Sequence, residues 1–351
     1  ASPNSTAAQA GAVTVRSNFF ILSLLFRPDC TIFPQIVNGI GKIFRAAAFF
    51  LYKIRKVYYN IPMLRIADGW KDYAVIATGD GYKLERWGEY LLLRPDPQVI
   101  WSAQRDLFSY PGLDAVYRRS DKGGGAWEYK RPLPKAWNIG YRDLTFKVMP
   151  MGFKHTGLFP EQAANWERTG EIVRRAVAKG RRVKILNLFA YTGGASVALA
   201  KAGAEVTHVD AAKGMVERAG ENARLSGIAG GIRYIVDDCK KFVARELRRG
   251  NRYDAVIMDP PSYGRGPNGE MWKIEAELFP FVRLCAQLLS DDPLFFLINS
   301  YTTGLQPTVL YNILTLTLGG LGGRVEAYEV GLPTGEGIPL PCGAGGLYIH
   351  A

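Results

Sequence analysis

Val183-Lys-Ile-Leu-Asn-Leu-Phe-Ala-Tyr-Thr-Gly-Gly194 decides the fold. An apolar run, Val183 to Ala190, breaks at two adjacent glycines and passes into a helical segment, Ser196 to Lys201. Downstream the alternation repeats. Strand-like runs lie at Glu205 to Val209, Ile232 to Val236, Tyr253 to Met258 and Leu294 to Ile298. Helical runs lie at Met215 to Leu225, Lys240 to Arg248 and Ile274 to Leu289, the last with Phe281, Leu284, Cys285 and Leu288 on one face. Apolar strands separated by helices predict an α/β fold whose mostly parallel sheet is covered on both faces. Arg324 to Val330 and Gly346 to His350 add a C-terminal antiparallel pair.

Upstream, Glu161 to Lys179 has a helical pattern, and residues 63–150 form a small β-rich domain before the 151–351 domain. Tyr73 to Thr78 and Tyr82 to Trp87 flank Gly79-Asp80-Gly81, a turn that suits a hairpin. Further strands are expected at Tyr90 to Arg94, Ala126 to Lys130 and Asp143 to Met149. Residues 1–62 have another texture, with seven Lys or Arg against one acid. They read as a poorly ordered or upstream extension with Met63 as the natural start. A basic helix over Lys42 to Tyr59, giving membrane-surface or organelle targeting, is the alternative.

Across 351 residues, 48% hydrophobic and 22% charged side chains describe a globular protein rather than a disordered one. The longest apolar run, Phe19 to Phe26, is far too short to span a bilayer, which argues against integral membrane association. Cys30, Cys239, Cys285 and Cys342 are too scattered for a disulfide framework or a zinc site, as are the three histidines for a metal, so a reducing, cytoplasmic setting without metal is expected. A net charge of +12, half of it in the extension, is compatible with a polyanionic partner.

Ligands of parallel α/β sheets bind beyond the carboxyl ends of the strands. There the sequence places the Asn187 to Gly194 turn, Asp210 as acceptor for ribose hydroxyls, and Asp237-Asp238 as acceptor for an adenine amine. These describe an adenosine site, open to either NAD or S-adenosylmethionine. Asp259-Pro260-Pro261-Ser262-Tyr263 separates the two. A carboxylate and the Pro260 carbonyl on a stiffened chain can hold a planar amine with its lone pair toward an electrophile, whereas hydride transfer has no use for them. Tyr263 and Trp272 are candidates to stack on a flipped-out base.

Together Asn187-x-Phe189-x-x-Thr192-Gly193-Gly194, Asp210, Asp238 and Asp259-Pro260-Pro261 resemble the successive motifs of class I S-adenosylmethionine-dependent methyltransferases, a Rossmann-like fold. The resemblance is specifically to the large-subunit ribosomal-RNA methyltransferases that modify cytosine C5 or guanine N7. Lys154-His-Thr-Gly-Leu-Phe159-Pro-Glu161-Gln162 resembles that family's Lys-Thr-Gly-x-Phe-x-Asp-Gln-Arg signature. The resemblance implies S-adenosylmethionine as cofactor, with Phe159 and Gln162 beside it, Gly193 and Gly194 at its methionine end, Asp210 at the ribose and Asp238 at the adenine. It also implies ribosomal RNA as substrate.

Three departures stand out. The signature's Arg is Ala163 here, and the N-terminal RNA-binding module of some members is not recognisable. The Cys that adds to the pyrimidine ring in the cytosine enzymes, just after the fifth strand, is replaced by Asn299-Ser300-Tyr301. Methylation of nitrogen is therefore the expectation, with C5 chemistry through a relocated Cys342 the alternative. A methyltransferase of protein or small molecules and a non-catalytic RNA-binding protein are the remaining readings.

Overall fold

The apolar strands between helices lie side by side in the computed structural model, which describes residues 64–120, 124–152, 154–265 and 271–350. The extension at 1–62, with its alternative readings, falls outside the described residues. After β1 (Leu64–Ile66) come β2 (Tyr73–Gly79), β3 (Tyr82–Trp87), β4 (Tyr90–Pro95), β5 (Leu113–Arg119) and β6 (Gly125–Tyr129). Strands β2 to β6 form one sheet in chain order, and β7 (Trp137–Tyr141) pairs antiparallel with β8 (Leu144–Val148). The expected β2–β3 hairpin is present, with Asp80 and Gly81 at φ 51° and 80°, the left-handed conformation that tight hairpin turns use.

Strand β5 has no clear sequence signature because Asp114 interrupts its apolar run. The carboxylate is nonetheless buried, accepting from Leu91 N at 2.7 Å and Arg131 Nε at 2.8 Å. Such satisfaction removes most of the cost of burying a charge.

The remaining elements are α1 (Ala163–Ala178), β9 (Lys184–Leu188), α2 (Gly194–Lys201), β10 (Glu205–Asp210), α3 (Lys213–Leu225), β11 (Ile232–Val236), α4 (Cys239–Arg248) and β12 (Ala255–Met258). They continue through β13 (Tyr263–Arg265), β14 (Met271–Lys273), α5 (Ile274–Ala286), β15 (Phe295–Ser300), α6 (Pro307–Leu318), β16 (Arg324–Pro333) and β17 (Pro339–Ile349). One eight-stranded sheet has the order β1-β16-β17-β15-β12-β9-β10-β11. Strands β15, β12, β9, β10 and β11 are mutually parallel, and β17 is antiparallel to both β15 and β16, as expected for the C-terminal pair. From β9 the chain winds outward to β11 and then crosses to β12 on β9's other side. In parallel α/β sheets ligands bind at such a reversal, which here falls at the carboxyl ends of β9 and β12.

Alternate strand residues face opposite layers. Leu186, Val256 and Phe296 pack under Phe242 of α4, Phe281 and Val282 of α5 and Leu310 of α6. Ile185, Ile257 and Leu297 pack under Val173 of α1 and Leu199 of α2. Burying each such large side chain contributes about 1.5–3 kcal/mol. A third cluster joins Trp87, Leu92 and Phe146 of the β-rich region to Trp166 of α1, Val197 of α2 and Leu340 of β17, so the two regions share a core.

Several features differ from expectation. The helix expected from Glu161 starts at Ala163, with Pro160–Gln162 forming a 3-10 turn before it. Strand β1 extends the large sheet, parallel to β16, rather than the small one. Helix α6 is unforeseen because its Thr- and Leu-rich run lacks charged residues. Pro307 at its first position and buried Leu310, Leu314 and Leu318 at four-residue spacing were the available signals. Among the described residues no helix is long and apolar enough to cross a membrane.

Candidate active site

Parallel alignment brings the turn after β9, Asp210, Asp237-Asp238, Asp259 and Asn299-Ser300-Tyr301 to one end of the large sheet. The turn is tightly wound: Phe189, Tyr191 and Gly193 have φ of 55°, 50° and 84°. Two non-glycine residues in this region store strain of the kind met at functional sites. The strain is held by bonds from every side. Asp210 Oδ2 accepts from Tyr191 N at 2.8 Å, Cys239 Sγ from Phe189 N at 3.3 Å, and Thr192 Oγ1 donates to the Gly157 carbonyl at 2.6 Å. Beneath it, buried Asn187 donates to Ser196 Oγ, which lies 3.0 Å from His208 Nδ1. Burial lowers the His208 pKa to about 4, so its ring is neutral near pH 7.

A Cβ on Gly193 would stand 2.7 Å from Ala219 Cβ, and one on Gly194 would stand 2.6 Å from the Trp166 ring. Both missing side chains therefore point into the protein, leaving bare backbone at the head of α2. Phe189 turns its ring toward Trp272, at 5.3 Å, and Phe281, at 5.9 Å, so at the strand end it offers main chain.

The acceptor set suits an adenosine. Asp210 is half-buried; Oδ2 and Oδ1 each accept one backbone N–H, from Tyr191 and Ala212, and a carboxylate oxygen has a second lone pair for a hydroxyl. Asp238 caps α4 by accepting from Lys241 N at 2.9 Å, while Asp237 is held by Arg245. Of the expected acid pair, Asp238 is thus the one not committed to a guanidinium.

Phe159 brings its ring 5.5 Å from Tyr191 and 5.3 Å from Tyr301. Gln162 is buried, donating through Nε2 to Tyr301 Oη at 2.7 Å and accepting from Asn165 at 2.9 Å; Asn165 also reaches Asn299. Arg94, paired through two bonds with buried Glu85, donates Nη1 to the Lys154 carbonyl at 2.9 Å. The β-rich region thereby holds the 154–162 segment in place.

Asp259 follows directly on β12. Among the described residues nothing donates to its carboxylate or to the Pro260 carbonyl, whereas the Pro261 carbonyl is taken by Trp272 Nε1 at 2.6 Å. Burial, and secondarily the Glu161 carboxylate, push the Asp259 pKa up to about 7. Glu161, 6% exposed, is itself raised by burial against the pull of Lys83 and Arg94. The sequence places Glu161 at a helix start within a signature and gives no sign of its charge coupling to Asp259, which arises where the turn before α1 meets the end of β12.

Tyr263 stands on the β13–β14 hairpin, 49% exposed, while Trp272 on the opposite strand is docked against Phe189 and Phe281 and covered by Lys240 at 5.4 Å. Of the two stacking candidates, Tyr263 is the more exposed. Burial raises the thiol pKa values of Cys239, Cys285 and Cys342, with Glu161 adding to the effect at Cys342.

A family profile described as S-adenosylmethionine-dependent methyltransferase matches residues 100–296. An S-adenosylmethionine-dependent methyltransferase from Agrobacterium tumefaciens superposes with TM-score 0.78 at 33% identity, over 83% of this chain and 95% of that one. The ribosomal RNA large subunit methyltransferase I of Salmonella arizonae is 27% identical over 62% of this chain and 57% of its own length. The ribosomal RNA large subunit methyltransferase K/L of Shewanella frigidimarina is 33% identical over 71% of this chain and 33% of its own length. The chain thus spans about half or less of these curated relatives. With that profile matched over more than half of its length, the chain belongs to the S-adenosylmethionine-dependent methyltransferase family.

Proposed function

We propose that this chain methylates a base of RNA, ribosomal RNA in particular, on nitrogen. The observation that carries the reading is Asp259: a carboxylate at the central strand end with no protein donor among the described residues, beside an unengaged Pro260 carbonyl. Two acceptors so placed hold the N–H groups of an amine and direct its lone pair. Once ionised, Asp259 can also receive the proton that the amine sheds.

Bound S-adenosylmethionine supplies an electrophilic methyl group. Asp210 would hold its ribose and Asp238 its adenine, with Gly193 and Gly194 as bare backbone at its methionine end and Phe159 and Gln162 alongside. Tyr263 would stack on the base. The RNA substrate is suggested by the names of the Salmonella and Shewanella relatives. A cytoplasmic setting follows from that substrate and suits the scattered cysteines.

The carbon C5 alternative would need Cys342 as nucleophile, and burial together with the nearby Glu161 carboxylate pushes its thiol pKa up. Its raised pKa works against it, because the thiolate is the nucleophile. Mass spectrometry of nucleosides from ribosomal RNA, with and without the purified enzyme and labelled S-adenosylmethionine, tests the proposal. A labelled N-methyl nucleoside is expected. Label in 5-methylcytosine overturns the nitrogen assignment, and no label in RNA overturns the substrate.

A further inference from the structure

Arg218, in the middle of α3, is a half-buried guanidinium with an unusual set of partners. Its Nη1 lies 3.8 Å from Met151 Sδ and its Nη2 approaches Met149 Sδ; both are thioether sulfurs, which are weak acceptors. Among the described residues no oxygen accepts from it, and none of its five N–H groups meets a carboxylate.

The acids beside it on the helix are committed elsewhere. Glu221, one turn on, pairs with Lys147 at 2.6 Å, and Glu217 faces Lys213 at 3.8 Å. Asp210, at the end of β10, accepts from Tyr191 N and Ala212 N and makes no ion pair with Arg218. A half-buried guanidinium whose protein partners are two thioethers leaves its fork of N–H groups for an anion from outside.

Its position matches that demand. Gly157, at φ 93°, makes room for it: a Cβ there would stand 2.8 Å from Arg218 Nη1. Arg218 also bears on Tyr191 of the strained turn, whose hydroxyl contacts Met151 Sδ at 3.4 Å. Lys154, in the same segment as Gly157, has no carboxylate partner among the described residues and adds positive charge. His155 between them is neutral, its pKa lowered to about 4 by burial and the neighbouring cations.

We propose that Arg218 is a phosphate-binding residue for the RNA substrate, taking a backbone phosphodiester at the rim of the Tyr191 turn. This rests on the RNA reading above. The guanidinium fork suits two phosphate oxygens, and such a contact positions the strand without reading its sequence.

The test compares wild type, Arg218→Gln and Arg218→Lys for binding to an unmodified large-subunit ribosomal RNA transcript, between about 50 and 200 mM salt. Calorimetry with S-adenosylhomocysteine runs in parallel and reports that each variant is folded. Arg218→Gln is expected to bind S-adenosylhomocysteine as wild type does and to lose RNA affinity roughly tenfold, as for one charge-assisted contact. Its slope of log affinity against log salt should shallow by about 0.7–0.9. Arg218→Lys should restore the slope but only part of the affinity, since an ammonium lacks the fork. Unchanged RNA affinity and slope in Arg218→Gln overturn the proposal. So does weakened S-adenosylhomocysteine binding with an unchanged RNA slope, which would assign the guanidinium to the cofactor's own carboxylate. Wild type that neither binds nor methylates the RNA removes the RNA reading itself.

Discussion

Neutralising Glu161 should move the pH dependence of methyl transfer. Asp259 has its pKa raised from 3.8 to about 7, which disfavours its charged form by about 4 kcal/mol relative to water. Burial is the larger cause and the Glu161 carboxylate the smaller. If ionised Asp259 is the acceptor for the amine, single-turnover transfer rises with pH along a limb centred near 7 and then levels. Glu161→Gln removes the like charge and keeps the shape, so the limb should shift to lower pH by well under half the distance to 3.8. Asp259→Asn should abolish the limb, and Asp259→Ala should cost on the order of a hundredfold in rate with cofactor affinity nearly intact. The same shift has a stability consequence of definite sign. Because folding raises this carboxyl's pKa, its contribution is present below pH 4 and fades as pH rises through about 7. Asp259→Asn should flatten that part of the denaturation midpoint against pH. A limb unmoved in Glu161→Gln, or persisting in Asp259→Asn, would show that this carboxyl pair does not set the pH dependence.

Asp210→Ala removes both the turn's anchor and the ribose acceptor, so calorimetry should show S-adenosylhomocysteine binding weakened more than tenfold, by the loss of charge-assisted bonds; equal affinity sinks the assignment. Gly194→Ala drives a methyl to 2.6 Å from Trp166 and should cost about 1–3 kcal/mol by urea denaturation, the usual range for overpacking; a neutral result would mean that Trp166 yields freely. Cys239→Ser, Cys285→Ser and Cys342→Ser should each retain methyl transfer to RNA in a labelled-methyl assay. A single one of them abolishing it would restore the carbon chemistry.

The order of motifs from Asn187 to Pro261 was legible in the chain because each lies within a few residues of a strand's end, and the strands declare themselves as short apolar runs between amphipathic helices. Local chemistry likewise marked Gly193 and Gly194 as a turn and Asp259-Pro260-Pro261 as a rigid pair of acceptors. Strand β5 and helix α6 were not legible, since one buries a carboxylate that is satisfied from outside the strand and the other lacks the charged face that reveals a surface helix. Nor was the role of each residue in the turn: Asn187 and Thr192 spend their side chains on Ser196 and Gly157, and Phe189 spends its ring on Trp272. Glu161 and Asp259 are 98 residues apart in the chain, and Arg218 meets Met149 and Met151 only because α3 packs beside the β8 segment. Couplings of that kind arise from electrostatics and desolvation across elements that no sequence spacing records. Strand ends and the residue types at them are local properties of the chain, whereas which of those groups lose their water and which charges face one another follow from how the folded elements pack.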